Sequence, residues 1–295
     1  MSSKTSAGNP ARKLFFGLFV FPLVIAVGMA LLLCTVVFLT SEPESPETLI
    51  AAVKSGAPSK RWQKAFELSN ELNRPGALLR DEGVMNEIIH ILAQPLQYDA
   101  RTRSYMALAL AHFKEPRVGP EERQGAVKAL RQSLRDSEPA VRIHGAWALG
   151  LMEAHEAARD LLPLLKSEDA AERKTAAYVV GVLGEEEEIA ALKPLLDDPV
   201  ADVKWNAALG LARLGDGSGR EILVRMLDRG LLSEFSLKGE ELDRVMINAA
   251  KGLALVGNAE AAQVLKKIAG SDESLKVREA ALSALKVFDA RQVRP

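Results

Sequence analysis

The ten residues VRIHGAWALG, from Val141 to Gly150, recur in modified form along most of the chain. Two close copies are VKWNAALGLA from Val203 and VREAALSALK from Val277. With all copies in register, the phrase starts at Lys60, Thr102, Val141, Glu172, Val203, Val245 and Val277. These starts are 42, 39, 31, 31, 42 and 32 residues apart, and a period in this range is typical of a repeat solenoid.

Each copy of the phrase has the pattern of one helix. With its first residue as position 0, positions 0, 1, 4, 5 and 8 fall on one side at about 100° per residue. Val203, Ala207, Ala208 and Leu211 illustrate the small and apolar residues found there. A second apolar stretch follows each phrase, such as AARDLLPLLKSED at 157–169, so each repeat is predicted to be a pair of helices. Abundant Ala and Leu, with only 5% aromatic residues, also favour an all-α fold.

The repeat resembles the HEAT repeat, in the short bacterial form that is also found in phycobilin lyases. The resemblance depends on an Ala-rich tail such as GAWALG and on an Asp followed six residues later by Arg or Lys. These acid and base positions are Asp136 with Arg142, Asp198 with Lys204, and Asp272 with Arg278. The resemblance implies an α-solenoid of about seven helical hairpins between about residues 47 and 290. It also implies that this acid and base link neighbouring repeats, and that the helix of each phrase lines a concave surface.

Two parts of the repeat region depart from the pattern. Lys64 and Glu67 stand in the first copy where small apolar residues are expected, so this copy is predicted to be a polar end cap. The stretch GLLSEFSLKGEELD (230–243) lengthens one repeat and is predicted to be an insertion in a loop. Three glycines between paired helices are predicted to cap helix C-termini: Gly184, Gly215 and Gly257.

Residues 14–40 contain no charged side chain and exceed the roughly 20 apolar residues that cross a bilayer as a helix. The alternative is a cleaved signal peptide, but such peptides have a shorter apolar region followed by a small-residue cleavage site. A lipoprotein site is not favoured either, because leucines precede Cys34. We therefore predict a basic N-terminus at 1–13, a transmembrane helix at 14–40, a linker at 41–48 and a repeat domain at 49–295.

The charges that flank this apolar segment predict its orientation. Residues 1–13 carry three basic side chains and no acid, whereas the segment SEPESPE follows at 41–47. Under the positive-inside rule, the N-terminus faces the cytoplasm and the repeat domain lies outside it. The prediction is a single-pass protein of the inner membrane in a bacterial cell envelope.

Composition and spacing argue against several classes of site. A net charge of −1 does not suit a general nucleic-acid binder, and a single cysteine excludes an intramolecular disulfide. No phosphate-binding glycine loop and no H-E-x-x-H pattern is present, so we expect no cofactor, metal or catalytic site. The four histidines are His90, His112, His144 and His155.

The most variable positions of the phrase are 2, 3 and 6, which lie opposite the apolar side at about 200°, 300° and 240°. All three tryptophans and two of the three tyrosines occupy these positions. Aromatic residues of this kind anchor interfaces, and hydrogen-bonding residues flank them here. The predicted protein-binding residues are Trp62, Tyr105, His144, Trp147, Tyr178, Trp205, Asn206 and Asn248. The alternative is that these rings pack against adjacent repeats or a curled end of the chain.

These features predict a non-enzymatic, membrane-anchored scaffold that binds a partner protein, itself of the membrane or envelope, through its concave face. The alternative is an enzyme of the phycobilin lyase type, to which the repeats are similar, although shared repeats are weak support for shared function. A third hypothesis, a DNA-binding HEAT solenoid similar to alkylpurine glycosylases, needs a basic concave stripe. Only Lys174 and Lys251 are basic on the predicted stripe, so no nucleic-acid partner is expected.

Overall fold

The computed structural model describes residues 16–40, 44–74, 82–114 and 116–292. The chain divides into two compact units, Met1–Ser45 and Pro46–Pro295. The predicted basic N-terminus at 1–13 lies outside the described residues.

The described part of the first unit is helical. A π-helical turn, Phe16–Val20, leads into helix α1 (Phe21–Thr40). Pro22 lies at the second position of α1, directly after the π-helical turn. Residues Gly17–Val36 have a mean hydropathy of 2.6 and none of them is buried within the protein. This helix is therefore long and apolar enough to cross a membrane.

The second unit consists of helical hairpins, and its described residues contain no strand. In chain order, the first three hairpins are α2 (Pro46–Ser55) with α3 (Arg61–Asn73), α4 (Glu82–Leu92) with α5 (Ala100–Leu110), and α6 (Pro120–Ser133) with α7 (Pro139–Leu151). The fourth pairs the 3₁₀ segment His155–Lys166 with α8 (Ala170–Leu183), and the fifth pairs α9 (Ile189–Leu192), which lies between the 3₁₀ turns Glu186–Glu188 and Lys193–Asp197, with α10 (Ala201–Arg213). The sixth pairs the short helices α11 (Arg220–Arg225) and α12 (Arg229–Glu234) with α13 (Gly239–Val256), and the seventh pairs α14 (Ala259–Ser271) with α15 (Leu275–Gln292). Two further 3₁₀ turns are Pro58–Lys60 and Gly217–Gly219.

The hairpins stack into two layers. The second helices pack in sequence order, from α3 through α5, α7, α8, α10 and α13 to α15, and the first helices form the other layer. The predicted all-α solenoid is thus confirmed. Each phrase of the sequence repeat lies in a second helix, and the Val, Ala and Leu at its buried positions fill the space between the layers.

Two glycines meet where the second helices α8 and α10 pack together. A Cβ atom added to Gly181 would lie 2.2 Å from the Cα of Gly210. Ordinary carbon contacts are about 3.5–4.0 Å, so only glycine permits this spacing. The close crossing brings the outward sides of α8 and α10 together.

Three local features differ from the sequence predictions. The stretch 230–243 is mostly helical rather than a loop, because it forms most of α12 and the first turn of α13. The first hairpin begins at Pro46, within the predicted linker. Gly184 and Gly257 do end helices, but with extended backbone at φ −74° and −61°, whereas Gly215 has the positive φ of 81° expected for a left-handed cap.

Candidate functional site

The second helices place the predicted binding residues on one side of their layer, here named the second-helix face. Trp147 is 41% exposed, and Asn248 is also exposed. The other six are half-buried: Trp62, Tyr105, His144, Tyr178, Trp205 and Asn206. Small buried residues beneath them, such as Ala146 and Ala177, bring the helices close enough for side chains of adjacent repeats to meet.

Aromatic rings on this face contact one another between repeats. The Tyr105 ring lies 5.3 Å from the Phe66 ring and 6.2 Å from the His144 ring, measured between centroids. Farther along the domain, Trp147 stacks on Tyr178 at 5.2 Å with an interplanar angle of 25°. The rings therefore combine packing between repeats with partial exposure to solvent.

Cations lie over two of these rings. The guanidinium of Arg101 is 4.0 Å from the centre of the Trp62 ring. That of Arg213 is 4.9 Å from the centre of the Tyr178 ring. Partial burial lowers the pKa of Arg213 from its ordinary value, and the neighbouring Tyr178 opposes that shift. Neither arginine was singled out by sequence analysis, because both lie outside positions 2, 3 and 6.

A groove of about 410 Å³ lies on the second-helix face between α7 and α13. Five of the eight predicted binding residues line it, namely Trp147, Tyr178, Trp205, Asn206 and Asn248. Trp62, Tyr105 and His144 do not line this groove. The structure thus brings the last five predicted residues together. Trp62 and Tyr105 lie in earlier repeats, and His144 lies on α7 outside the groove lining.

The floor and rim of the groove include residues that the sequence did not indicate. Leu209, Met226 and Leu237 supply apolar surface, and Met226 and Leu237 come from the lengthened repeat. Helix α10 contacts α13 less extensively than it contacts α8, so the lengthened repeat fills a wider gap there. The rim carries both charge signs, with Lys174, Asp202, Glu241 and Arg244.

Hydrogen bonds fix some polar side chains of the groove and leave others available. The Asn206 amide donates to the Asp202 carbonyl at 2.7 Å, and Lys174 pairs with the Asp202 carboxylate at 3.2 Å. Among the described residues, no hydrogen-bond partner holds the Asn248 side chain, which is exposed. His144 Nδ1 lies 2.8 Å from the Ala140 carbonyl, which orients its ring along the helix. Amides in this setting can pair with the backbone of a bound chain.

A second set of contacts joins neighbouring repeats behind this face. The Arg at position 1 of a phrase reaches forward to an acid of the next repeat. Arg103 pairs with Asp136 in this way. Arg173 donates to Asp198 at 2.7 Å and 3.1 Å, and that hydrogen bond, assisted by a backbone N–H, holds the pKa of Asp198 below its usual range despite burial.

The acids also stabilise the turn before the next second helix. Asp136, Asp198 and Asp272 each accept a backbone N–H two residues later, at 2.9, 2.9 and 2.8 Å. Asp136 and Arg142 do not join their side chains, although the Arg142 guanidinium donates to the Asp136 carbonyl at 2.5 Å. The residues of the D-x-x-x-x-x-[RK] motif therefore meet across repeats rather than within one.

Four of the later copies vary this arrangement. Arg142 pairs with the buried Glu172 at 2.5 Å, because Ser167 stands where the next repeat's Asp is expected. Met246 replaces the base in the sixth copy, and Arg229 of α12 takes its place by bonding Asp272 at 2.6 Å. Lys204 has no ion pair among the described residues, and the Nε atom of Arg278 is buried without a hydrogen-bond partner there. The sequence pattern does not indicate Glu172 or Arg229, since neither falls at the motif's spacing.

The part of the chain that the structure describes has no group of three or more His, Cys, Asp or Glu side chains arranged to hold a metal ion. Burial, and then the charges of Arg117 and Lys114, lower the pKa of His112 from 6.5 to about 4. This residue lies in the turn after α5 rather than in the groove.

Comparisons with known proteins agree with this architecture. The family model described as HEAT repeats matches residues 85–181 and 158–233, which together span about half of the chain. No curated protein sequence matches the chain. Among solved structures, the complex of CpcE and CpcF of phycocyanin lyase from Nostoc sp. PCC7120 is similar at 20% identity and a TM-score of 0.52, covering 85% of this chain and 96% of that chain.

A second similar structure is the archaeal HEAT-like repeats protein from Thermococcus onnurineus, at 16% identity and a TM-score of 0.46, covering 85% of this chain and 99% of that chain. At these identities the structural likeness concerns the fold alone. The family model covers the repeats that contain α7, α8 and α10, and the chain belongs to the family of HEAT-repeat proteins.

Proposed function

We propose that this protein is a membrane-anchored scaffold that binds an extended segment of a partner protein in the groove of its second-helix face. The observation that carries the proposal is the convergence of Trp147, Tyr178, Trp205, Asn206 and Asn248 around one groove. These residues come from four helices and are joined only by the stacking of repeats. The proposal includes the expectation that this face is concave.

The chemistry of the groove suits a polypeptide in extended conformation. Trp and Tyr offer large contact areas with few rotatable bonds, so they lose little entropy on binding. An extended chain also carries backbone N–H and C=O groups that must be paired when buried. Asn248 and the free carbonyl oxygen of Asn206 can supply such pairs. The apolar floor at Leu209, Met226 and Leu237 would take a side chain of the partner.

The anchor is the second part of the proposal. The apolar helix within residues 14–40 would hold the repeat domain at a membrane surface, with the basic N-terminus in the cytoplasm and the repeat domain on the other side. Carbonate extraction of membranes tests the anchoring, because an integral protein stays in the pellet. Protease added to intact spheroplasts tests the orientation, since it should degrade residues 49–295 only if they face outward.

Site-specific photo-crosslinking in cells tests the groove. A photo-reactive residue replaces Trp147, and a control probe replaces Glu186, which is exposed on a 3₁₀ turn away from the groove. We expect a discrete adduct with a second protein from position 147 only. The same adduct should be lost when Trp205→Ala removes another groove residue without touching the probe. Adducts from neither position, or an adduct that Trp205→Ala leaves unchanged, would overturn the proposal.

The alternative function is an enzyme related to the phycocyanin lyase complex, whose fold the repeat domain shares. Mixing the purified protein with a bilin distinguishes the two. A shifted absorption band that depends on the groove tryptophans would favour the lyase hypothesis. An unchanged spectrum would leave the scaffold function as the better explanation of the groove.

A further inference from the structure

A second cavity of about 340 Å³ lies beside the groove, on the other side of Trp205 and Met226. Its walls include Ile222, Leu231 and Phe235. The Phe235 ring meets the Trp205 ring edge-on, at 5.3 Å between centroids. The cavity therefore has an apolar interior with an aromatic wall.

The lengthened repeat builds this cavity. Leu231, Leu232 and Phe235 come from α12 and the residue after it, which belong to the stretch that interrupts the repeat spacing. Helix α10 supplies the opposite wall through Lys204 and Trp205. Since the other described repeats have no corresponding short helix, the cavity is specific to this place in the solenoid.

Two cations line the cavity, Lys204 and Arg225, and none of its described lining residues is acidic. Neither cation forms an ion pair within the described part of the chain. The charge of Lys204 helps to lower the pKa of Asp198, but hydrogen bonds from Arg173 already hold that carboxylate. Lys204 thus has the repeat position that elsewhere links neighbouring repeats, yet its charge remains available to the cavity.

We propose that this cavity binds a small amphiphilic anion, with an apolar body against Trp205, Leu231 and Phe235 and a carboxylate-like head group between Lys204 and Arg225. A ligand's apolar body would lose contact with water where it packs against Trp205, Leu231 and Phe235, and such burial favours binding. Two unpaired cations beside it favour a charged head group, because charge-assisted hydrogen bonds are the stronger ones. The volume falls within the range of small-molecule sites, about 300–1,000 Å³. This site goes beyond the proposed binding of a partner protein.

Photo-labelling of the full chain in phospholipid nanodiscs tests the site. The probe is decanoic acid carrying a diazirine on its chain, and the matched probe is the corresponding alcohol. Mass spectrometry of the digested protein locates the label. Because both probes also dissolve in the bilayer, labelling of residues 16–40 provides an internal reference. We expect the acid to label residues within 199–235 at least about fivefold more than the alcohol does.

The double variant Lys204→Gln/Arg225→Gln should lower this labelling about tenfold or more, since each lost charge-assisted contact weakens binding several-fold. The control Lys266→Gln/Lys267→Gln removes the same charge from an exposed part of α14 and should leave the labelling unchanged. Leu231→Trp, which fills the cavity and keeps both cations, should abolish it. Circular dichroism confirms that each variant is folded.

Three outcomes would overturn the proposal: no label within 199–235 while residues 16–40 are labelled, equal labelling by acid and alcohol, or full labelling of the double variant. The crosslink from position 147 reports separately on the groove. It should persist in Lys204→Gln/Arg225→Gln, so failure of the cavity and failure of the partner groove give different results.

Discussion

The contact between Gly181 and Gly210 gives a graded prediction for the packing that shapes the groove. A Cβ on Gly181 would lie 2.2 Å from the Gly210 Cα, so Gly181→Ala requires α8 and α10 to separate by about 1.3–1.8 Å to reach ordinary contact. A Cβ on Gly210 would lie 3.0 Å from the Ala177 carbonyl and 3.3 Å from the Gly181 Cα. Gly210→Ala therefore requires the neighbouring backbone to shift by only a few tenths of an ångström.

Overpacking of a core typically costs about 1–3 kcal/mol, and Gly181→Ala belongs at the upper end because it presses on backbone. The greater helix propensity of Ala offsets up to about 1 kcal/mol of this loss of stability. The net expectation is a loss of about 2 kcal/mol, which lowers the Tm of a domain of this size by about 4–8 °C. Gly210→Ala should change the stability by less than about 1 kcal/mol.

Thermal unfolding followed by circular dichroism measures these effects. The control is Gly270→Ala in α14, where an added Cβ meets nothing within 4 Å, so the variant should be as stable as the parent or slightly more stable. Because the separation also moves Tyr178 away from Trp205, Gly181→Ala should weaken crosslinking from position 147. If Gly181→Ala is as stable as Gly210→Ala, the inferred backbone contact is wrong.

Three further predictions concern charges outside the groove. Asp198→Asn removes the charge that Arg173 binds, and both side chains of this pair are largely buried, so the variant should lose about 3 kcal/mol of unfolding free energy. The control Asp202→Asn, in the exposed pair with Lys174, should lose less than about 1 kcal/mol. Folding lowers the pKa of Asp198, so this carboxylate stabilises the protein fully at pH values above its unfolded pKa, near 3.9. That stabilisation is lost as the pH falls through the folded pKa. The difference in unfolding free energy between the parent and Asp198→Asn should therefore become smaller in acid, and a constant difference would contradict this reasoning. His112 has a folded pKa of about 4 against an ordinary 6.5, so the unfolded chain takes up its proton first and the protein loses stability between pH 6.5 and 4; urea unfolding of His112→Asn across that range should show a weaker pH dependence. Arg229→Gln releases both Asp243 and Asp272 and should lower the Tm, whereas Arg225→Gln, which breaks no ion pair in the described residues, should not; equal Tm values would refute the linking role of Arg229.

Sequence reasoning worked best where a pattern repeats locally. The spacing of the phrase and the period of its small residues identify the second helices, since helix periodicity depends on residues three and four apart. The same reasoning misjudged 230–243, where the lengthened repeat spacing predicted an insertion in a loop but α12 and α13 cover most of the stretch. A single departure from a repeat has no internal copy against which it can be compared.

The candidate site was predictable in part. The positions of Trp147, Tyr178 and Trp205 on one face followed from helix geometry alone. The grouping of these residues around one groove did not, because it depends on how far α10 and α13 are apart and on what fills the gap. Their role in binding a partner remains a prediction.

The sequence by itself determined the helical hairpins, their order and the apolar N-terminal helix, because these depend on the residues within one segment of chain. Only the tertiary structure decided which charges meet. Arg103 and Asp136 are joined across repeats, Arg229 replaces the base that Met246 lacks, and Lys204 is left facing a cavity. The physical reason is that such contacts join residues some 25 to 43 positions apart, and their distances are set by the stacking of whole repeats rather than by local spacing.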